Sequence, residues 1–206
     1  MSRPSRNHPV VWGPNHQWFV DGNEDDTEGN EYFWKDMTAD LISRGVGATA
    51  PNWAVFRDGI YASQFAKGDE VWITFHPNHD VVPGEKFYPH IHWTTNSTTS
   101  TGTVVWVVEY TLAEGFDTDA FPATTSIEMT YTFTENKQYQ HLITECSDAQ
   151  AVTMPDVDSL IMMRIYRKDD AADTFAGNVF GLTVDIHYRA GKFGTKGKRP
   201  DFNVAD

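Results

Sequence analysis

The sequence predicts an all-β protein: a two-sheet antiparallel sandwich of the jelly-roll kind, with one short helix and an extended N-terminal arm. Three observations lead there. From Trp53 onward, short runs rich in Val, Ile, Thr and aromatic residues recur between Gly, Pro, Asn and Asp turns, which is the pattern of strands. Helical spacing is missing from all of these runs. The runs number eight, which two sheets close economically as a jelly roll, and a chain of 206 residues accommodates one such domain.

In chain order, residues 1–30 are rich in Pro, Asn, Gly and Asp, with Trp12, Trp18 and Phe19 placed without a period. Such a segment cannot build its own core and reads as an arm that docks its aromatics elsewhere. The acidic stretch "DGNEDDTEGNE" sets Asp21, Asn23 and Asp25 at alternating positions of a calcium loop. However, Asp26 stands where the turn glycine belongs and Tyr32 where the bidentate Glu belongs, so a solvated acidic loop is the favoured reading. The segment "EYFWKDMTADLISRG" then spaces Trp34, Met37, Leu41 and Ile42 as a helical stripe and ends in Gly45, a C-terminal cap. It predicts the single helix, packed against the sheet. Strands are expected within residues 53–61, 70–76, 87–94, 103–112, 125–134, 138–146, 158–168 and 178–189. The polar "TTNSTTSTGT" reads as a hairpin loop between two of them. The chain thus divides into an arm with a helix (1–50), a sandwich (51–190) and a tail (191–206). In the tail, Lys192, Lys196, Lys198 and Arg199 make a basic cluster in an otherwise acidic protein, suited either to an acidic partner surface or to solvent.

The chain has 29 acidic against 16 basic residues, a net charge of −13, which disfavours general nucleic-acid binding. No signal peptide and no apolar run of membrane-spanning length are read, so a soluble chain made in a cytoplasm is expected. The single cysteine, Cys146, excludes an intrachain disulfide and, with no adjacent His, makes a poor nucleophile. No P-loop, serine elbow, dinucleotide glycine motif or HExxH occurs. Glu109 and Glu128 are carboxylates of the kind sugar chemistry uses, but isolated Glu on alternating strands usually marks the solvent side. His76, His79 and Asp80 fall in a Pro- and Gly-bounded turn. With 7 Trp, 8 Tyr and 13 Phe, the composition suits subunit interfaces or a carbohydrate-stacking surface, interfaces being favoured.

In "FYPHIHW", strand alternation sets Tyr88, His90 and His92 on one face and Phe87, Ile91 and Trp93 on the other. In "VDIHY" it sets Asp185 and His187 together. If the two strands are neighbours, one sheet face gathers histidines and a carboxylate, and His90, His92 and His187 become metal candidates. Gly84, His90 and His92 resemble the opening of the cupin motif, a Gly, five residues, then His-x-His. The resemblance then fails, because residues 93–97 supply no Glu and no second cupin motif follows. Two histidines alone leave a first-row metal underligated. Structural histidines bonded across strands are therefore the favoured reading, with a cupin-like metal site using His90 and His92 together with His187 or Glu109 as the alternative. No metal and no cofactor are expected.

The strings "HDVVPGEKFYPHIHW", "VVWVVEYTLAEGF", "IMMRIYRKDD" and "VFGLTVDIHYRAGKFGT" together resemble a recurrent pattern in small structural proteins of tailed bacteriophages, over roughly residues 68–195. The resemblance implies a jelly-roll virion component, such as a capsid decoration, neck or tail-associated protein, without enzymatic activity. The physical reading is compatible: an aromatic-rich sandwich with a docking arm suits a multi-copy assembly protein. The expected partners are copies of the chain itself, a trimer being favoured, and other virion proteins such as capsid, portal or tail proteins. The expected contacts are Trp12, Trp18 and Phe19 of the arm and the basic cluster of the tail. The expected location is the virion, after synthesis in the host cytoplasm. A carbohydrate-binding or receptor-binding tail domain shares this fold and stands as a further alternative.

Overall fold

Pairing between strands, rather than any helix, organises the described residues. The computed structural model describes residues 10–12, 18–20, 32–42, 49–116, 120–154 and 156–191, with backbone only at 10–12, 18–20 and 32–33. The chain forms two units, Met1–Glu31 and Tyr32–Asp206. In the first, β1 (Val10–Trp12) pairs antiparallel with β2 (Trp18–Val20), setting Trp12 opposite Trp18. The side chains of Trp12, Trp18 and Phe19 lie outside the described residues. So do the acidic stretch with Asp21, Asn23 and Asp25, and the tail residues Lys192, Lys196, Lys198 and Arg199.

The second unit is all β. Its strands are β3 (Tyr32–Ala39), β4 (Asn52–Arg57), β5 (Ile60–Phe65), β6 (Glu70–Phe75), β7 (Lys86–Thr94) and β8 (Gly102–Glu114). They continue as β9 (Thr125–Phe133), β10 (Leu142–Glu145), β11 (Val152–Thr153), β12 (Ser159–Arg167) and β13 (Val179–Gly191). One sheet has seven strands in the order β10-β7-β13-β5-β4, with β11 pairing β7 and β3 pairing β13. The other has four in the order β6-β12-β8-β9. All the pairings between these strands are antiparallel. Among the described residues no helix is long and apolar enough to cross a membrane.

Among the described residues the expected helix is not seen. Tyr32–Ala39 of that segment form β3 instead, which lies along β13 from Gly191↔Tyr32 to Val184↔Ala39. The reason is the length of β13: one of its sides is taken by β7, while β5 covers only Val179 to Gly181 on the other. The remaining backbone groups of that side need partners, and the aromatic start of β3, Tyr-Phe-Trp, suits a pleated surface. Met37 turns into the core while Trp34 stays exposed. The expected strand at 53–61 is instead the hairpin β4–β5, turning at Asp58 and Gly59 with Asp58 at φ 52°.

The core lies between the sheets. Alternation selects it: Phe87, Ile91 and Trp93 of β7, Val104, Trp106 and Val108 of β8, and Val184, Ile186 and Tyr188 of β13 are all buried together. Aromatic edges lock the centre, with Trp106 5.2 Å from Phe65 and 6.0 Å from Trp93 between ring centroids. The Trp93 indole N–H donates to the Thr144 hydroxyl at 2.8 Å. The "TTNSTTSTGT" segment is not a hairpin loop but a corner between the sheets, since β7 and β8 belong to different ones. It is held by Thr and Ser hydroxyls, among them Ser97 donating to Thr99 at 2.9 Å.

Candidate functional site

The two histidine strands are neighbours. β7 and β13 pair with His90 opposite Asp185 and His187 opposite Tyr88, and β10 sets Glu145 opposite His90. Directly paired residues project to the same face, so four strands build one polar row on the outer face of the seven-stranded sheet. β3 completes it, setting Asp36 opposite His187. The opposite faces of β7 and β13 carry the apolar core side chains, as alternation predicted.

His90 is 1% exposed although it lies on this outer face. The His187 ring covers it at 4.0 Å between centroids, inclined by 31°. Burial, and next the nearby His187, push its pKa below the ordinary 6.5, so the neutral ring is favoured. His90 Nδ1 stands 3.3 Å from the Tyr88 carbonyl oxygen. A carbonyl can only accept, so Nδ1 carries the proton and Nε2 keeps its lone pair.

That lone pair points at a meeting place. His90 Nε2 is 3.1 Å from His92 Nε2 and 3.9 Å from Asp185 Oδ2, and His92 Nε2 is 3.2 Å from the same oxygen. Behind these atoms stand further partners. His92 Nδ1 is 2.7 Å from His141 Nε2, and the Thr183 hydroxyl donates to Asp185 Oδ1 at 3.0 Å. His187 turns away from the meeting point: its Nε2 is 2.8 Å from Asp36 Oδ1 and its Nδ1 pairs with Glu145. An open cleft of about 280 Å³ adjoins it, lined by Trp34, Tyr88, Glu145, Asp148 and His187.

The sequence reading therefore brought together the right strands but only part of the set. His90 and His92 converge as expected, whereas His187 stacks on His90 without joining the convergence, and Asp185 supplies the third atom. Glu109 is not near the histidine row. It lies on β8 in the other sheet, accepting from Arg164 Nη1 at 2.9 Å, so the cupin-like set with Glu109 is corrected. Glu128 is likewise engaged, paired with Lys168 at 2.5 Å. Asp80 of the "HPNHD" turn accepts from the Tyr188 hydroxyl at 3.0 Å and pairs with Lys35, so it ties the turn to β13 and β3. Glu145, Asp36 and His141 were missed. The first two could be placed only through strand pairings that the sequence does not print, and His141 sits just ahead of β10 with no periodic signal.

Apolar exposure is concentrated elsewhere, on the β4–β5 hairpin. Trp53 is 71% exposed and Ile60 65%, with Val55 and Tyr61 beside them. Trp53, Val55 and Tyr61 share one face, since Val55 pairs with Tyr61 and Trp53 with Ser63, and β4 is the terminal strand in the order of its sheet.

No protein-family model and no curated protein matches the chain. Among solved structures, a chain from the structure of infectious bursal disease virus, Gt strain, aligns over 90% of this chain with a TM-score of 0.32 and 13% identity. The alignment covers 43% of that viral chain, so the protein spans less than half of its length.

Proposed function

We propose that the protein is a non-enzymatic structural component of a tailed-phage virion, a capsid decoration, neck or tail-associated subunit, built on a jelly roll and acting through symmetric contacts. The observation that carries this is the strand order. Setting aside β3, β4 and β11, the sheets read β10-β7-β13-β5 and β6-β12-β8-β9. Successive strands from β5 to β13 then cross between sheets, except at β8–β9, an alternation that supports the double Greek-key weave of a jelly roll.

Viral capsid domains, lectins and cupins all use that weave, so the fold alone does not choose among them. What favours the assembly reading is the distribution of side chains. The space between the sheets is filled by Phe65, Trp93, Trp106, Phe133 and Phe175, where a cupin-like protein would hold its ligand. The apolar surface is displayed on an edge hairpin instead, where a neighbouring copy can cover it. The sequence pattern of the two histidine strands, as noted, resembles phage structural proteins.

Light scattering on the full chain at micromolar concentration tests this reading. A homo-oligomer, most simply a trimer, is expected, and a strict monomer that also fails to bind phage particles would overturn it.

A further inference from the structure

We infer that β7 and β13 carry a binding site for one divalent transition-metal ion, ligated by His90 Nε2, His92 Nε2 and Asp185 Oδ2. The site is independent of the assembly role, and either can stand without the other.

Three atoms that bear lone pairs converge, at 3.1, 3.2 and 3.9 Å from one another. The His90 proton is committed to the Tyr88 carbonyl, and Asp185 as a carboxylate has none. Only His92 Nε2 can contribute a proton, and one N–H cannot serve both of its neighbours well. A cation at the meeting point satisfies all three.

The spacing also fits a metal. The nearest point equidistant from three atoms at those separations lies in their plane, about 2.0 Å from each, at the short end of the range of roughly 2.0–2.2 Å for zinc bonded to histidine nitrogen or carboxylate oxygen. The donor set selects the ion class: imidazole favours zinc, copper, iron or nickel, whereas magnesium and calcium prefer oxygen ligands throughout. Three protein ligands leave a position open.

The surroundings are those of a ligated set. Each ligand has its other polar atom held by a second group, a common feature of metal-bound histidines and carboxylates. Tyr88 O takes the His90 Nδ1 proton at 3.3 Å, His141 Nε2 faces His92 Nδ1 at 2.7 Å, and Thr183 Oγ1 holds Asp185 Oδ1 at 3.0 Å. With an ion bound, His92 carries its proton on Nδ1 and donates to His141, which shifts its own proton to Nδ1. Each ring moves one proton between its own two nitrogens, so the exchange of tautomers balances. The ion would clamp β7 to β13 at directly paired residues.

Zinc titration of the full, tag-free, chelator-stripped chain by calorimetry tests the site. We expect about one equivalent bound, with Asp185→Asn and His92→Gln each weakening affinity at least tenfold. His141→Gln, a positioning change, should weaken it by roughly 10–100-fold. The double variant His76→Gln/His79→Gln should bind like the parent. Should the ligand variants fail to fold, cobalt(II) added to the parent chain decides: ligand-field absorption with paramagnetic shifts at the His90 and His92 ring protons supports the site. Absence of those shifts, no zinc uptake, or uptake undiminished in folded Asp185→Asn and His92→Gln overturns it.

Discussion

Arg167 closes the loop between β12 and β13. Its guanidinium holds Asp173 with two bonds, at 2.9 and 2.8 Å, and donates to the carbonyls of Gly177 and Phe175, both at 2.6 Å. Arg167 is 1% exposed and Asp173 also 1%. Lys67 Nζ also stands 3.5 Å from Asp173 Oδ1, but losing Arg167 still deprives the buried carboxylate of both guanidinium bonds in a low-dielectric site. Arg167→Met should therefore cost about 3–5 kcal/mol, read as a lowered urea midpoint, whereas a change within about 0.5 kcal/mol would contradict this role. Cys146 gives a pH signature. Burial lifts its thiol from the ordinary 9.0 to about 12. The unfolded chain therefore loses that proton first, and this residue subtracts stability as pH rises from about 9 toward about 12. Alkylation by iodoacetamide at pH 8.5 should be slow in the folded protein and fast in urea, and equal rates would contradict the burial. The histidines show how far single residues can be read from sequence. Alternation of period two correctly assigned Tyr88, His90 and His92 to one face and Phe87, Ile91 and Trp93 to the other. It could not say that the Asp185 oxygen, rather than a ring nitrogen of His187, completes the convergence, because that depends on side-chain rotation.

At the scale of elements, strands bounded by turns were legible and pairings were not. β6, β7, β8, β9, β12 and β13 fall where apolar runs predict them. β3 did not, because Trp34, Met37, Leu41 and Ile42 fit a helical stripe while the uncovered side of β13 demanded a strand, and tertiary pairing outweighs weak local spacing. The apolar run at 53–61 predicts one strand, yet Asp58-Gly59 within it is among the strongest short hairpin signals and turns the chain between β4 and β5. The corner at 95–101 was read as a hairpin loop because polar composition marks a turn without saying which sheet follows. It has a firm backbone requirement at its end: Gly102 has φ of 110°, and a Cβ there would stand 2.9 Å from Phe175 Cα. The hairpin carries the prediction at this scale. Trp53→Glu and Tyr61→Glu each put a charge on the exposed apolar face and should shift the proposed homo-oligomer toward monomer at unchanged thermal stability of the fold. Unaltered mass by light scattering in both variants would remove this face from the interface.

For the whole molecule, an aromatic-filled sandwich displays two kinds of outer surface: a polar row of histidines and carboxylates, and an apolar edge hairpin. The all-β class was legible because strand alternation and turn residues recur over most of the chain. The partition into seven and four strands was not, since it depends on which distant segments share an edge. The charge of −13 leaves contact to local patches rather than to long-range attraction. Quantitative mass spectrometry of gradient-purified particles made from the encoding genome tests the proposed role as a multi-copy part of a virion. The chain is expected in the particle fraction, at a copy number fixed relative to the major capsid protein. Its presence in the lysate but absence from purified particles would overturn that role.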